Sequence, residues 1–298
     1  MKISLSYFMN RRSFVPYVLT SPLVLLLFFI TLVPVLYSIF LSLSYWPLEK
    51  LREAPKFIGF DNYFRMLHDQ RLISSLKFTF IFTMTSVPIE IIIGLLVALI
   101  LNTNFPGRKL VRSIFVLPLA VSMLVTGLIW RYIFNYDYGL LNFLLGVFHV
   151  APVPWLIQSP WPQISLILAE VWIQMPFCAL VLLAGLQSIP EELYESAKLE
   201  GAGGAKILRF ITLPLLKPPI LVVSLITVTN AIRSFELAYS ITGGGPMQST
   251  ETFSFLAYQV GFRYFDLPYA ASISWFILAI NLLVSLIFMK KMYVVEER

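Results

Sequence analysis

The sequence predicts an all-α membrane protein with six transmembrane helices that form a single domain over residues 1–298. The first observation behind this prediction is the composition: 58% of the residues are hydrophobic and 13% are charged, with a mean hydropathy of +0.80. Soluble domains carry about 25% charged residues, so this composition indicates an integral membrane protein. The second observation is that six apolar stretches reach the roughly 20 residues that a helix needs to cross a bilayer.

The six apolar stretches are separated by polar or proline-rich segments. In chain order they are Val15–Ser44, Ser74–Leu101, Ser113–Phe134, Ile164–Leu186, Pro219–Thr242 and Tyr269–Met289. The first follows a basic N-terminus but is longer than the roughly 7–15 apolar residues of a signal peptide, so we expect it to be retained as a helix. The second carries Glu90, for which a hinge and a hydrogen bond to a neighbouring helix are both open roles.

The distribution of basic residues predicts the orientation. Lys and Arg are about twice as frequent on the side that holds both termini as on the other side, where they fall between Lys50 and Lys77. Because cytoplasmic loops carry the excess of Lys and Arg, both termini and the polar segment Ser188–Pro214 are predicted to be cytoplasmic. These clusters account for the net charge of +6, so no nucleic-acid partner is predicted. One cysteine and two well-separated histidines indicate neither an internal disulfide nor a metal site.

The segment Ser188–Pro214 is the main polar interruption in the apolar chain. Ser188 and Glu191 have the spacing of a capping box, which predicts a short helix with Ser188 as its N-cap. Gly201 is placed to end this helix in the left-handed conformation. A second helical run follows, and we expect Pro214 to stop it. A helix this short is marginally stable alone, so it needs a partner to pack on.

This polar segment carries a recognisable motif. Glu195-Ser196-Ala197, Gly201-Ala202 and Ile211-Thr212-Leu213-Pro214 closely resemble the EAA motif of membrane subunits in binding-protein-dependent ABC importers. The departures from the motif are Ser196 in place of alanine and Glu200 in place of aspartate. Three further stretches resemble the carbohydrate-uptake branch of the family, on the side of the maltose transporter's first permease subunit: Leu186–Pro190, Thr242–Pro246 and Gly59–Tyr63.

The resemblance implies a type I ABC importer permease fold, in which the EAA helix between spans four and five is a coupling helix docked on a separate ATPase subunit. The coupling residues that it implies are Glu195, Ser196, Ala197, Leu199, Gly201, Ala202 and Pro214. It further implies a second homologous permease subunit, two ATPase subunits that hold ATP and Mg, and an extracytoplasmic sugar-binding protein. The location that it implies is the cytoplasmic (inner) membrane of a bacterium or archaeon.

Spans four and five each carry a polar stripe, and the two stripes flank the polar segment in sequence. The substrate-binding residues that we predict from them are Glu170, Gln174, Phe177, Thr227, Asn230 and Ser234. Each stripe follows helical spacing, so its members share one face. Ionisable residues inside a span mark function by default, and the resemblance places these positions on the central sugar cavity. The alternatives are hydrogen bonds that hold helices together and, for Glu170, a pair with a partner permease.

Two charged residues near the end of span five, Arg233 and Glu236, are spaced to neutralise each other, and we favour that role over a substrate role. The Gly243–Pro246 stretch that follows is interpreted as a turn.

The predicted function is inward translocation of a sugar, or of a related polyol or sugar derivative, by alternating access. No Gly-Lys dipeptide occurs, so the chain has no P-loop, and we predict neither an enzymatic activity nor a cofactor for it. One alternative is a permease for another solute class in the same family. The other is a proton-coupled secondary transporter that uses Glu90 or Glu170, although such transporters typically contain two similar halves and this sequence has no repeat.

Overall fold

The computed structural model describes residues 11–47, 49 and 52–296, with the side chains of residues 16–47, 49 and 52–292. This part of the chain is mostly helical. The helices of its first half are α1 (Arg11–Ser42), α2 (Asp61–His68), α3 (Gln70–Asn102), α4 (Arg108–Val116), α5 (Met123–Ile133) and α6 (Leu140–Val147). Those of its second half are α7 (Trp161–Gln187), α8 (Glu191–Leu199), α9 (Gly204–Ile207), α10 (Leu213–Leu215), α11 (Lys217–Ile232), α12 (Phe253–Tyr258) and α13 (Leu267–Glu296). A short antiparallel pair is formed by β1 (Ser44–Tyr45) and β2 (Lys56–Phe57).

Four helices are long and apolar enough to cross a membrane. They are Pro16–Ser42 within α1, Gln70–Asn102, Trp161–Gln187 and Leu267–Met292 within α13. Two bent pairs raise the number to six if each pair counts as one span: Arg108–Ala120 with Met123–Ile133, and Gly204–Leu215 with Lys217–Ile232. The structure therefore confirms a helical membrane fold with four to six candidate spans.

The predicted third and fifth spans are not single continuous helices. On the third, α4 runs into a 3-10 turn, Leu117–Ala120, and this arm is bent by 99° against α5. Pro118 lies in the turn, and a proline lacks the backbone donor that a regular helix needs. On the fifth, the expected run to Thr242 is wrong, because α11 ends at Ile232 and residues 233–235 are not helical.

The described residues up to Arg65, together with Val260–Trp275, form one compact unit. In this unit Asn62 is buried, and its side-chain amide donates to the backbone carbonyls of Ser42 and Ser44, each at 2.9 Å. Backbone carbonyls at the end of a helix have no partner within the helix. The buried asparagine of the first loop therefore satisfies acceptors where α1 ends and fixes the path of the chain into β1.

Met66–Gln259, with the described residues from Phe276 onward, forms the second unit, in which α3 and α7 pack along each other. Gly94 permits this close packing, because a Cβ atom there would lie 2.6 Å from the Cβ of Cys178. Near the end of α7, a Cβ atom on Gly185 would lie 2.7 Å from Cγ of Pro219 in α11. The core of this unit contains the buried apolar side chains of Ala98, Leu101, Cys178, Leu182, Leu183, Leu186, Leu216 and Val223. The end of α7 and the start of α11 are thus held together directly, in addition to their connection through residues 188–216.

A buried ion pair in the second unit fastens the segment before α12 to the first turn of α3. Glu251 is fully buried and accepts two hydrogen bonds from Arg71, from Nε at 2.8 Å and from Nη2 at 2.6 Å. The next residue, Thr252, donates its hydroxyl to the carbonyl of Ser234 at 2.7 Å. This short segment therefore links α3 to the non-helical residues that follow α11.

We expect Glu251→Gln to lower the free energy of unfolding by about 3 kcal/mol or more, because removal of one member of a buried ion pair leaves the other charge uncompensated. The matched control is Asp266→Asn, which breaks the more exposed pair of Arg65 and Asp266 and is expected to cost below about 1 kcal/mol. The midpoint temperature of the purified protein in detergent, read by size-exclusion chromatography after heating, compares the two variants. Equal shifts in both would contradict a structural role for the buried pair.

Candidate functional site

A cavity of about 180 Å³ lies where α7 faces the end of α11 and the residues that follow it. Its lining is mostly polar and charged: Met123, Glu170, Gln174, Asn230, Arg233, Ser234 and Glu236. Four of the six predicted substrate residues, two from each stripe, therefore surround one space. The sequence did not assign Met123, Arg233 or Glu236 to the substrate, although the two charges in an otherwise apolar stretch were a signal for the last two.

Glu170 and Gln174 lie on one face of α7, as their spacing predicts. Both are buried, and Nε2 of Gln174 donates to Oε1 of Glu170 at 3.4 Å. A carboxylate offers two acceptor oxygens, and an amide offers one acceptor and two donors, so this pair can both accept from and donate to a ligand. A few polar groups of this kind in a concave site are what orient a small neutral ligand.

The interruption after α11 brings polar groups to the other wall of the cavity. The carbonyls of Ile232 and Ser234 accept hydrogen bonds from the hydroxyls of Ser254 at 3.4 Å and Thr252 at 2.7 Å. Side chains from the start of α12 thus satisfy acceptors that a continuous helix would have satisfied internally. At membrane depth, non-helical backbone occurs only where it is buried in protein or lines a cavity, and interrupted helices form the substrate sites of many transporters.

The other two predicted substrate residues, Thr227 and Phe177, do not line this cavity. Thr227 is 1% exposed, and its hydroxyl donates to the carbonyls of Val223 and Ser224 in its own helix, at 2.9 and 3.3 Å. Phe177 packs against the apolar core of the second unit. In this conformation both side chains support the helices that carry the cavity, and their contact with substrate stays a prediction.

Arg233 and Glu236 line the cavity without forming the ion pair that we favoured from their spacing. Within the described part of the chain, no ion pair joins the two side chains. The physical reason is the interruption after Ile232: an i, i+3 contact requires a continuous helix, and the backbone is not helical between these residues.

Glu90 lies on the buried face of α3 and is 1% exposed. Neither of its carboxylate oxygens has a hydrogen-bond partner among the described residues. The hydroxyls of Thr83 and Ser86 also lack a partner in the same part of the chain. Of the two roles that the sequence left open, a hydrogen bond to a neighbouring helix is therefore not seen in this conformation.

A larger cavity of about 610 Å³ lies beside α6, lined by residues between Tyr136 and Pro152. Its polar Asn142 is already committed to the protein, because its side-chain oxygen accepts from the Val153 amide at 3.0 Å and the Trp155 indole at 2.9 Å. The smaller cavity has two buried polar side chains on α7 and an interrupted helix opposite, so it is the stronger candidate for transport.

The polar segment after α7 contains a short, well-defined helix, α8. The predicted capping box is wrong: α8 starts at Glu191 with Pro190 as N-cap, and the Ser188 hydroxyl donates to the carbonyl of Gly185 at 2.8 Å. Ser188 therefore caps the end of α7 and not the start of α8. Only three residues separate the two helices, so Ser188 lies within reach of both ends.

The predicted end of α8 is confirmed. Gly201 has φ +79°, in the left-handed region, directly after the C-cap Glu200. Its amide donates to the carbonyl of Lys198 at 3.0 Å, and the amide of Ala202 donates to that of Ala197 at 2.9 Å. These two bonds form a Schellman motif, for which glycine carries no Cβ penalty.

One side of α8 is packed against its own chain and the rest is exposed. Ala197 is buried, and the Thr212 hydroxyl lies 3.5 Å from the hydroxyl of Tyr194. Glu195 and Ser196 are exposed, and Leu199 is 90% exposed. The exposed side of this short helix is therefore open to contact with another chain.

The chain after α8 returns to the membrane through a bent helical arm. α9, a π-helical turn at Leu208–Thr212 and α10 follow one another without a gap, and this arm meets α11 at 64°. The expectation that Pro214 stops the helix is wrong, because the helical run continues through Pro214 to Leu215, two residues beyond Leu213. The bend falls at Leu216, whose side chain is fully buried in the core.

Over residues 90–296 the sequence matches the family described as "Binding-protein-dependent transport system inner membrane component". The chain belongs to this family. It is 37% identical to the trehalose/maltose transport system permease protein MalF of Thermococcus litoralis, over 86% of this chain and 85% of that protein. It is 35% identical to the sulfoquinovosyl glycerol transport system permease protein SmoG of Agrobacterium fabrum, over 91% of this chain and 88% of that protein. The resemblance to sugar-uptake permeases of ABC importers is confirmed.

Solved structures show that this member of the family has the fold of an ABC importer permease. A chain of a bacterial ABC transporter that imports the acidic polysaccharide alginate superposes with a TM-score of 0.83, at 22% identity, over 97% of this chain and 99% of that chain. A second structure, the bacterial alginate transporter in complex with an alginate pentasaccharide-bound periplasmic protein, gives 0.80 at 22% identity over 93% of each chain. At this identity the likeness shows the fold.

Proposed function

We propose that this chain is a permease subunit of an ATP-driven importer that moves a sugar across the cytoplasmic membrane, with the cavity between α7 and α11 as its part of the sugar path. The observation that carries the proposal is the convergence of Glu170, Gln174, Asn230 and Ser234 on one cavity beside an interrupted helix. The named relatives at 35–37% identity transport trehalose or maltose and sulfoquinovosyl glycerol, which share a hydroxylated sugar moiety. Buried acceptors and donors suit such a ligand.

The size of the cavity supports a second permease subunit. About 180 Å³ is below the roughly 300–1,000 Å³ of a complete small-molecule site. A homologous subunit whose equivalents of α7 and α11 face this cavity within the membrane would complete the sugar site. Six spans, with each bent pair crossing once, and cytoplasmic termini fit this arrangement and the excess of basic residues on that side.

We propose that α8 is the coupling helix and docks on one of two ATPase subunits, which hold the ATP and Mg. It is short, ends in a rigid Schellman motif, and exposes Glu195 and Leu199. The end of α7 and the start of α11 are packed together through Gly185 and Pro219. A displacement of α8 is therefore transmitted to both walls of the cavity. On the opposite side of the membrane, we propose that an extracytoplasmic sugar-binding protein delivers the sugar.

The proposal is tested with vesicles that contain this chain together with the second permease, ATPase and binding protein of its source organism. We expect uptake of a labelled sugar. This uptake requires hydrolysable ATP on the side of the membrane that carries the ATPase and the binding protein on the other side. A protonophore is expected to leave uptake unchanged. Uptake that a protonophore abolishes, and that persists without ATP, would instead favour a proton-coupled transporter in which the buried Glu90 or Glu170 carries the proton.

A further inference from the structure

Two arginines at the junction of α4 and α7 form a basic cluster around a neutral oxygen. The side-chain oxygen of Gln187, oriented to satisfy its neighbours, accepts from Nη2 of Arg108 at 3.0 Å and from Nη2 of Arg112 at 3.1 Å. Arg108 also donates to the side-chain oxygen of Asn104 at 3.1 Å. Within the described part of the chain, neither arginine forms an ion pair with a carboxylate. Two positive charges are thus held together with only neutral acceptors.

The cluster retains a donor that is out of contact with water. Nε of Arg112 is buried and has no hydrogen-bond partner among the described residues. An unpaired buried donor is unfavourable, and the uncompensated charge of this guanidinium group favours an anion beside the cluster. The planar guanidinium group matches the oxygens of a phosphate better than any other cationic side chain does.

The helix that carries both arginines has the character of a helix at the headgroup boundary, where the third span begins. The arm formed by α4 and the following turn meets α5 at 99°, so it does not continue in the direction of α5. Leu110 and Ile114 are 65% and 56% exposed, whereas Arg108 and Arg112 are directed to Gln187. An amphipathic helix with basic and exposed apolar sides typically lies at the headgroup boundary of a bilayer.

We propose that Arg108 and Arg112 bind the headgroup phosphate of one anionic phospholipid, whose acyl chains lie against the exposed apolar residues of α4. The ligand class follows from the chemistry: a phosphate for the two guanidinium groups, which have no carboxylate partner among the described residues, and an apolar tail for Leu110 and Ile114. Gln187 is the last residue of α7 and only three residues precede α8, so the lipid adjoins the polar segment. This site does not depend on the identity of the transported solute.

The test uses the full-length chain in phosphatidylcholine vesicles with spin-labelled phosphatidylglycerol or spin-labelled phosphatidylcholine as probe. Electron paramagnetic resonance measures the fraction of each probe that is immobilised at the protein. We expect the wild-type chain to prefer phosphatidylglycerol. Arg108→Gln together with Arg112→Gln is expected to reduce the preference by about fivefold for each charge removed, the effect typical of a basic residue at an anionic membrane surface. Arg112→Gln alone gives the same readout if the double variant does not insert.

The matched control is Lys290→Gln with Lys291→Gln, which removes the same charge from the exposed end of α13. We expect this control to keep the preference, and an equal loss in both double variants would overturn the site in favour of general surface charge. Loss of the preference in an excess of inorganic phosphate would assign the cluster to a free anion. Absence of any preference in the wild-type chain, or an unchanged preference in the arginine variants, would also overturn the proposal.

Discussion

Glu195→Lys and Gly201→Asp are each expected to reduce ATP-driven uptake by about thirtyfold or more while leaving the chain folded in the membrane. A hot-spot residue at an interface typically contributes about 2 kcal/mol or more, which corresponds to about this factor in affinity. Glu195 is exposed on α8, so its charge is available to a partner and its replacement removes no internal contact that the structure records. Lysine at this position would repel a basic group of the ATPase that the carboxylate attracts.

Gly201→Asp acts through the backbone and through charge. At φ +79° a side chain is strained, although Asp tolerates this region better than most residues, and the new carboxylate lies next to Glu200. The matched control is Gly203→Asp, which adds the same charge two residues later. Gly203 has φ −73°, and a Cβ atom added there would meet no other atom within 4 Å, so neither strain nor a clash is expected.

The measurement separates detachment from loss of folding. Co-purification of the ATPase with the permease reports docking, and the amount of permease in the membrane fraction reports folding. We expect both test variants to lose the ATPase and the Gly203→Asp control to retain it. Full uptake with a bound ATPase in Glu195→Lys and Gly201→Asp would show that α8 is not the coupling surface.

Local chemistry made the end of α8 predictable from the sequence. A glycine after a run of helix-forming residues commonly ends the helix in the left-handed conformation. Gly201 does so with the two hydrogen bonds of a Schellman motif. The start was mispredicted because Ser188 had two possible partners, the amide ahead of it and the carbonyl behind it. The turn-sized gap between α7 and α8 selected the carbonyl of Gly185. Such competition between neighbouring caps depends on distances that a sequence does not contain.

The interruption after α11 could not be predicted from its own residues. No proline or glycine lies between Val228 and Ile241 to mark a break, so the sequence favours one helix despite the polar residues Asn230, Arg233 and Glu236. What permits the interruption is the pair of hydroxyls from Thr252 and Ser254, about twenty residues later, which satisfy the released carbonyls. Because these contacts are distant in sequence, the pattern placed Thr227 on the substrate face, whereas the structure places the cavity at Asn230 and beyond.

Asn230→Ala and Gln174→Ala are expected to raise the sugar concentration for half-maximal uptake by roughly tenfold each. Loss of one hydrogen-bonding partner for a buried group typically costs about 1 to 3 kcal/mol, and the lower part of this range applies where water replaces the missing group. Both side chains line the cavity, one from each wall, so their effects are expected to be similar. The ATPase remains docked in these variants, which distinguishes them from the α8 variants.

Thr227→Val tests whether the sugar contacts the whole polar stripe of span five or only the residues that line the cavity. It removes the hydroxyl with little change in volume, and this hydroxyl is bound to carbonyls of its own helix and lies outside the cavity. If the cavity is the path, the concentration for half-maximal uptake stays unchanged in Thr227→Val and rises in Asn230→Ala. If it rises equally in both, the sugar contacts the whole stripe, and the cavity seen in this conformation is only one end of the binding surface. Uptake across a range of sugar concentrations, with the maximal rate followed separately, distinguishes the two outcomes, because a defect in helix packing would lower the maximal rate instead.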